Sequence, residues 1–224
     1  MEKIGEIKAR FAEAGERLKK ASMRTEAESA AGLLENLEQT YREDTRSGVQ
    51  ALIRRSEMQR EALEKETARI YQLQQYERDY EKEGLICGID EVGRGPLAGP
   101  VVAGAVILPK NCEILYLNDS KQVTPRRREI LFEQIKEQAL AWSVSWVEPE
   151  EIDQIDILNS RIKAMKQAAE GLVPAADYLL VDGNRDHGSR YAIQMPHETV
   201  VKGDSRSASI AAASILAKVS RDRY

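Results

Sequence analysis

All seven prolines of the chain lie at or after Pro96, and ten of its 14 glycines lie at or after Gly84. A proline-free stretch poor in glycine can run as long helices, whereas turn residues at short intervals force frequent changes of direction. The break near Glu83–Gly84 therefore predicts two parts, 1–83 and 84–224. In the first, Ile4, Ile7, Phe11 and Leu18 fall on one helical face, and Leu33, Leu34 and Leu37 mark a second helix. Asp44 to Gly48 interrupts the pattern, and a long polar helix is predicted from Val49 to Tyr80. Its apolar residues are too sparse for a heptad seam. Residues 1–83 carry 16 bases and 18 acids in alternation. That pattern leaves two readings open, a solvated helical extension packed on its neighbour and an arm that touches nucleic acid.

The second part reads as α/β. Leu85–Asp90 and Val101–Leu108 are apolar runs separated by Gly/Pro turns, which predicts two strands. Thr124 is placed to cap a helix that has Pro125 at its first position and runs to about Gln138. Trp142–Val147 alternates like a half-buried strand, with Trp142 and Trp146 on one face as core residues. A helix over Glu150–Gly171 follows, then short strands at Tyr178–Val181 and Thr199–Val201, and a final helix from Ser205 to Arg223. Strands and helices mixed in this way imply a sheet covered on both faces.

Other classes are excluded or disfavoured. No run of 18 apolar residues is present, and Met1-Glu2-Lys3 is not followed by a signal-peptide core, so a cytoplasmic protein with no membrane contact is expected. Cys87 and Cys112 are too few for a disulfide framework or a cysteine-built zinc site, and Cys87 reads as a small core residue. His187 and His197 do not have ligand-like spacing and read as surface or loop residues. The net charge is −4, from 33 bases and 37 acids, which as a global average speaks against a polyanionic partner.

The informative pattern is where the carboxylates fall. Asp90-Glu91, Asp182 and Asp204 each end or follow an apolar strand. Strand C-terminal ends line one rim of such a sheet, where ligands bind. If the strands are neighbours, four acids meet, and like charges at close range need a compensating cation. Carboxylate oxygens suit Mg²⁺ or Mn²⁺. Asp90 and Glu91 should point to opposite faces, so both reach one metal only if the strand ends or distorts there. The alternative is that these are ordinary turn and cap residues, with Asp204 capping the last helix and Asp119 in a turn. Gly93-Arg94-Gly95 offers unobstructed backbone N–H groups beside a guanidinium, a phosphate-friendly combination. Lys121, Arg126-Arg127-Arg128, Lys202, Arg206, Lys218, Arg221 and Arg223 add local positive charge, and the arginine triplet reads equally as a solvated helix face.

Taken together, the run from Gly88 to Val102 (Gly-Ile-Asp-Glu-Val-Gly-Arg-Gly-Pro-Leu-Ala-Gly-Pro-Val-Val) resembles the signature of ribonuclease HII, the type 2 ribonuclease H family. Asp119-Ser120-Lys121, Leu180-Val181-Asp182-Gly183-Asn184, Val201-Lys202-Gly203-Asp204-Ser205 and the block from Ser209 to Val219 with Arg221-Asp222-Arg223 continue the match, in order, over 85–224. The resemblance implies an RNase H-like mixed sheet flanked by helices, with a smaller, mainly helical N-terminal extension. It implies a monomeric endonuclease that hydrolyses the RNA strand of RNA–DNA hybrids and nicks 5′ of single ribonucleotides embedded in duplex DNA, leaving 3′-hydroxyl and 5′-phosphate ends. By motif match, Asp90, Glu91, Asp182 and Asp204 are the catalytic, metal-holding acids, with Mg²⁺ or Mn²⁺ as cofactor. Gly93, Arg94 and Gly95 would approach the ribose 2′-hydroxyl and scissile phosphate, while Ser120, Lys121 and Lys202 resemble backbone-phosphate contacts. Two metals would activate water and support the leaving oxygen.

Two departures accompany the match. Relatives usually continue past the position of Tyr224 into a helical segment bearing a tyrosine at the ribonucleotide–DNA junction, and Tyr224 is not at that position. A hybrid-binding module impaired in cutting is the alternative this implies. Some bacterial members carry a substrate-holding extension whose fold resembles part of the TATA-binding protein. Asp44–Ile53 and the helix after it are similar to its end, and 1–43 give no comparable signature.

Overall fold

A computed structural model describes residues 2–95, 98–184 and 189–224. The chain divides into two compact units, one comprising residues up to Ile70 with Glu113–Tyr116, the other Tyr71–Cys112 with Leu117–Tyr224.

The first unit is built of helices α1 (Ile4–Lys20), α2 (Arg24–Tyr41) and most of α3 (Ser47–Leu73). Ile7, Phe11 and Leu18 bury one stripe of α1, as their spacing predicts, and Leu34 does so for α2, whereas Ile4 and Leu33 face solvent. Segment 113–116 joins this unit through backbone hydrogen bonds, Arg24 N to Glu113 O at 2.8 Å and Leu115 N to Ser22 O at 2.7 Å. Glu66 accepts the Tyr116 N–H at 2.7 Å. Among the described residues this unit has no strand beyond the isolated bridge Met23–Ile114. This is the mainly helical extension that the sequence predicts.

The second unit opens with the end of α3 and the short helix α4 (Gln75–Asp79), so the predicted helix to Tyr80 breaks once. Its sheet has five strands, β1 (Ile86–Val92), β2 (Val101–Ile107), β3 (Ala141–Val147), β4 (Tyr178–Asp182) and β5 (His197–Val200), in the order β3-β2-β1-β4-β5. β1, β4 and β5 run parallel, while β2 is antiparallel to both β1 and β3. Helix α5 (Pro125–Gln138) starts where predicted, with the Thr124 hydroxyl accepting from Arg127 N. The predicted helix over Glu150–Gly171 is instead two, α6 (Pro149–Ile155) and α7 (Ile157–Glu170). The chain turns sharply between them because Asp156 takes φ 69° and its carboxylate caps the Asn159 N–H at 2.9 Å.

Both faces of the sheet are covered. Cys87, Ile89, Ala103, Ala105, Leu179 and Val181 pack with Ala164, Met165 and Ala168 of α7 in one apolar core. The last helix, α8 (Ala208–Asp222), lies on the opposite face and is buried along almost all its length. Its close approach is set by two glycines. A Cβ on Gly88 would stand 2.1 Å from the Ser209 carbonyl carbon, and one on Gly104 would stand 2.5 Å from Ala213 O. The cap of α8 is Ser207, accepting from Ile210 N. Trp142 and Trp146 do share a face, but β3 is an edge strand, and Trp142 is 40% exposed, so it is not a core residue. Among the described residues no helix is long and apolar enough to cross a membrane.

Candidate metal centre

The acids meet because of sheet order. β1, β4 and β5 are parallel neighbours, so their C-terminal ends share one rim. Pairing between β1 and β4 stops at Ile89 opposite Val181, although β1 continues along β2 to Val92 opposite Val102. The expectation that the strand must end or distort at Asp90-Glu91 is therefore corrected. The strand runs on, and it is the β1–β4 pairing that ends. Alternation holds: Gly88 and Asp90 face α8, while Cys87, Ile89 and Glu91 face α7. The two carboxylates reach the opening from opposite faces, and oxygens of Asp90, Glu91 and Asp182 all lie within 4.8 Å of one another.

Each acid is held by identifiable partners. Asp90, 6% exposed, accepts the Glu91 N–H at 2.8 Å and a hydrogen bond from the Ser214 hydroxyl of α8. Burial, then the charges of Glu91 and Asp182, hold its carboxyl well above the usual carboxylate range. Burial also raises Glu91, opposed chiefly by the Arg161 guanidinium and more weakly by Arg94. Arg161, on α7, pairs through Nε with Glu91 Oε1 at 2.9 Å and donates from Nη2 to the Asp182 carbonyl at 2.7 Å. Asp182 Oδ1 accepts the Gly203 N–H at 2.6 Å, which ties β4 to the turn Gly203–Ser205. Asp204 stands in that turn, outside the group of three. It does not cap α8, since Ser207 has that role. Burial, followed by the charges of Asp119 and Asp182, pushes its carboxyl up to about 6.

Of the residues expected to contact substrate, Arg94 lends its charge to Glu91 and Lys121 to Asp204. Gly93 takes φ 103°, and a Cβ there would meet Pro100 O at 2.3 Å, so only glycine fits. Arg94 and Gly95 are exposed; Pro96 and Leu97 lie outside the described residues. Arg221 of α8 holds the returning limb of this loop, donating to Pro100 O at 3.0 Å and Ala98 O at 3.1 Å. Lys121 is exposed in a turn closed by its N–H on Asp119 Oδ1 at 2.9 Å, and its charge acts on Asp204. Ser120, by contrast, is buried with its hydroxyl 3.0 Å from Ser214 Oγ, so its side chain sits behind Asp90. Lys202 is exposed at φ 56° at the start of the Asp204 turn. Of the arginine triplet, Arg128 is buried, pairing with Asp222 at 3.6 Å, and is not part of a solvated face. His197 Nδ1 hydrogen-bonds Met195 O at 2.7 Å, and His187 lies outside the described residues.

Sequence reasoning missed Arg161 and Ser214 as parts of the centre, and read Arg221 only as local positive charge, not as the holder of the loop limb at Ala98 and Pro100. A signal for Arg161 existed: with Met165 and Ala168 it falls at helical spacing on the buried stripe of α7, where a lone arginine needs an anionic partner. The residues fit a hard divalent cation. The donor set is all carboxylate, burial raises both Asp90 and Glu91 above the usual carboxylate range, and Glu91 Oε2 is buried with no hydrogen-bond partner among the described residues.

Comparison with known proteins decides the family. A family model described as ribonuclease HII matches residues 87–224, and one for the ribonuclease HII N-terminal domain matches residues 3–81. The chain belongs to the ribonuclease HII family. It is an endoribonuclease of RNA–DNA hybrids. A ribonuclease HII of Enterococcus faecalis is 50% identical over 186 residues, covering 82% of this chain and 71% of its own. One of Lachnoclostridium phytofermentans is 46% identical over 183 residues, covering 82% and 70%. The crystal structure of ribonuclease H2 from Pyrococcus horikoshii superposes with a TM-score of 0.53 at 31% identity, covering 62% of this chain and 72% of that one. The N-terminal match includes residues 3–43, where the sequence alone gives no comparable signature.

Proposed function

We propose that this ribonuclease HII nicks on the 5′ side of single ribonucleotides in duplex DNA as well as cutting hybrids, leaving 3′-hydroxyl and 5′-phosphate ends. Asp90, Glu91, Asp182 and Asp204 are its catalytic acids. The observation that carries this reading is the convergence of three carboxylates within 4.8 Å, directly followed by the Gly93-Arg94-Gly95 loop. Asp90, Glu91 and Asp182 would hold Mg²⁺ or Mn²⁺ with Asp204 beside them. Such an ion supplies a water nucleophile at neutral pH and stabilises charge on the phosphate.

The chain's own groups do the rest. Gly93 and Gly95 expose backbone N–H groups to the ribose 2′-hydroxyl, which is both donor and acceptor and distinguishes RNA from DNA at one position. Arg94 forks onto phosphate oxygens, and Lys121 and Lys202 bind flanking phosphates, setting register without reading bases. Ser120 acts from behind, through Ser214, on the orientation of Asp90. Water attacks phosphorus, the P–O3′ bond breaks, and the leaving O3′ takes a proton to become the 3′-hydroxyl. Residues 1–83 form the substrate-holding extension and linker, and 84–224 the catalytic part.

A set of labelled 5′-end duplexes tests this: all-DNA, RNA–DNA hybrid, and DNA with one ribonucleotide, each with Mg²⁺, Mn²⁺ or chelator. Cleavage of the last two alone, lost with chelator and in Asp90→Asn, is expected. Salt-sensitive hybrid binding without product in either metal would replace the reading with a binding module that does not cut.

A further inference from the structure

The point where β1 and β4 part is bridged by one side chain. Past Ile89 and Val181 the two strands share no pairing: Glu91 pairs with Ala103 of β2, and Asp182 with Val200 of β5. Arg161 fills the gap. Its Nε meets the carboxylate of one strand and its Nη2 the backbone carbonyl of the other. Room for the guanidinium comes from Gly183, at φ 119°, where a Cβ would stand 2.6 Å from Arg161 Nη2. Both partners are buried, with 7% of the Arg161 and 10% of the Glu91 side chain exposed. A planar fork that is always charged can serve two acceptors at once, which a lysine ammonium on a flexible stem does less well.

The consequence for Glu91 is specific. Oε1 lies 2.9 Å from the guanidinium Nε in an ion pair, and Oε2 is left buried without a hydrogen-bond partner among the described residues. We propose that Arg161 is a positioning residue of the metal centre, holding the ends of β1 and β4 in register and presenting a single Glu91 oxygen, Oε2, to the divalent cation. This rests on the metal-centre reading given above. It adds that the geometry of the acids is set from α7, by a residue that touches neither substrate nor metal.

The test is Mn²⁺ binding to metal-free protein, read from the electron paramagnetic resonance signal of free Mn²⁺, so that it does not depend on turnover. Wild type, Arg161→Lys, Arg161→Gln and Asp90→Asn are compared, with circular dichroism to confirm folding and kcat and KM on a hybrid measured alongside. Loss of an outer partner of a metal ligand costs about 10–100-fold in affinity, and that loss is expected in both Arg161 variants. With it, kcat falls while KM for the hybrid stays unchanged, and lysine does not rescue. A guanidinium acting only as counter-charge gives the opposite, with Arg161→Lys like wild type and Arg161→Gln binding Mn²⁺ more tightly, and that result overturns the proposal. Wild-type affinity in both variants overturns it too. If Arg161→Gln fails to fold, Arg161→Lys decides alone, since it keeps charge and most of the stem. Asp90→Asn separates the two levels. Wild-type Mn²⁺ binding in that variant refutes the metal centre itself, whereas its loss beside unaffected Arg161 variants refutes only the positioning role.

Discussion

Asp90→Asn should stabilise the metal-free protein while abolishing cleavage. The substitution is nearly isosteric, and the asparagine oxygen can still accept the Glu91 N–H that Asp90 accepts at 2.8 Å. Its new amide N–H₂ faces the Ser214 hydroxyl, which can turn to accept. What is lost is a negative charge within 4.8 Å of two others. A like-charge pair near that separation costs roughly 3 kcal/mol at an effective dielectric of about 20. Asp90 has two such neighbours, partly offset by Arg161, so the net gain is about 3 kcal/mol at pH 8, or a rise of about 6–12 °C in Tm. The pH dependence has a definite sign. The folded-state pKa of Asp90 lies above its ordinary value of 3.8, so the folded protein holds a proton that the unfolded chain has released. Wild-type stability is thus highest relative to the variant in acid, and falls as pH rises from about 3.8 until the folded pKa is passed. Thermal denaturation with chelator at pH 4 and pH 8 reads the effect. Mn²⁺ at 100 times its Kd should return about 2.7 kcal/mol to wild type and little to the variant. A variant less stable than wild type at pH 8 without metal, or a gain equal at both pH values, would refute the electrostatic reasoning.

Other outcomes follow from packing and caps. Gly88→Ala drives a methyl group into the α8 backbone at 2.1 Å and should cost at least the roughly 1–3 kcal/mol typical of overpacking, seen as a lower urea midpoint. Ser207→Ala removes the α8 cap and one of the hydroxyls on the Glu77 carboxylate, at 2.6 Å, so a loss of about 1–2 kcal/mol is expected by thermal denaturation. The Cys87 thiol is fully buried and pushed up to about 12 by burial, so iodoacetamide at pH 8 should modify it only after unfolding; rapid labelling of the native protein would contradict its place in the core.

The carboxylates were legible because strand-end acids obey a simple topological rule, and the parallel pairing of β1 with β4 brings Asp90, Glu91 and Asp182 together, with Asp204 after β5 left outside the group. Their mutual approach was not legible in the same way. Alternation does send Asp90 and Glu91 to opposite faces, but pairing between neighbouring strands can stop while one strand continues, and no local pattern records that. The break in the predicted helix at Asp156 depends on a left-handed residue that is not glycine, and the end of α6 carries no other stop signal. Trp142 was misplaced because alternation gives a face but not the strand's position at the sheet edge. Arg161 was missed for a related reason. An arginine on a helix is ordinarily solvated, and only long-range folding shows that this one points at Glu91. The net charge of −4 was a poor guide to partners, since several acids gather at one rim while Arg94, Lys121 and Lys202 remain exposed around it.

The most direct test of the proposed chemistry is single-turnover cleavage of a duplex carrying one ribonucleotide in Mn²⁺, with the nick mapped at nucleotide resolution and its ends identified by ligation and kinase treatment. One nick on the 5′ side of the ribonucleotide is expected, with a 3′-hydroxyl and a 5′-phosphate, absent with chelator and in Asp90→Asn. A nick elsewhere, a 2′,3′-cyclic phosphate end, or the same product rate in Asp90→Asn would contradict it.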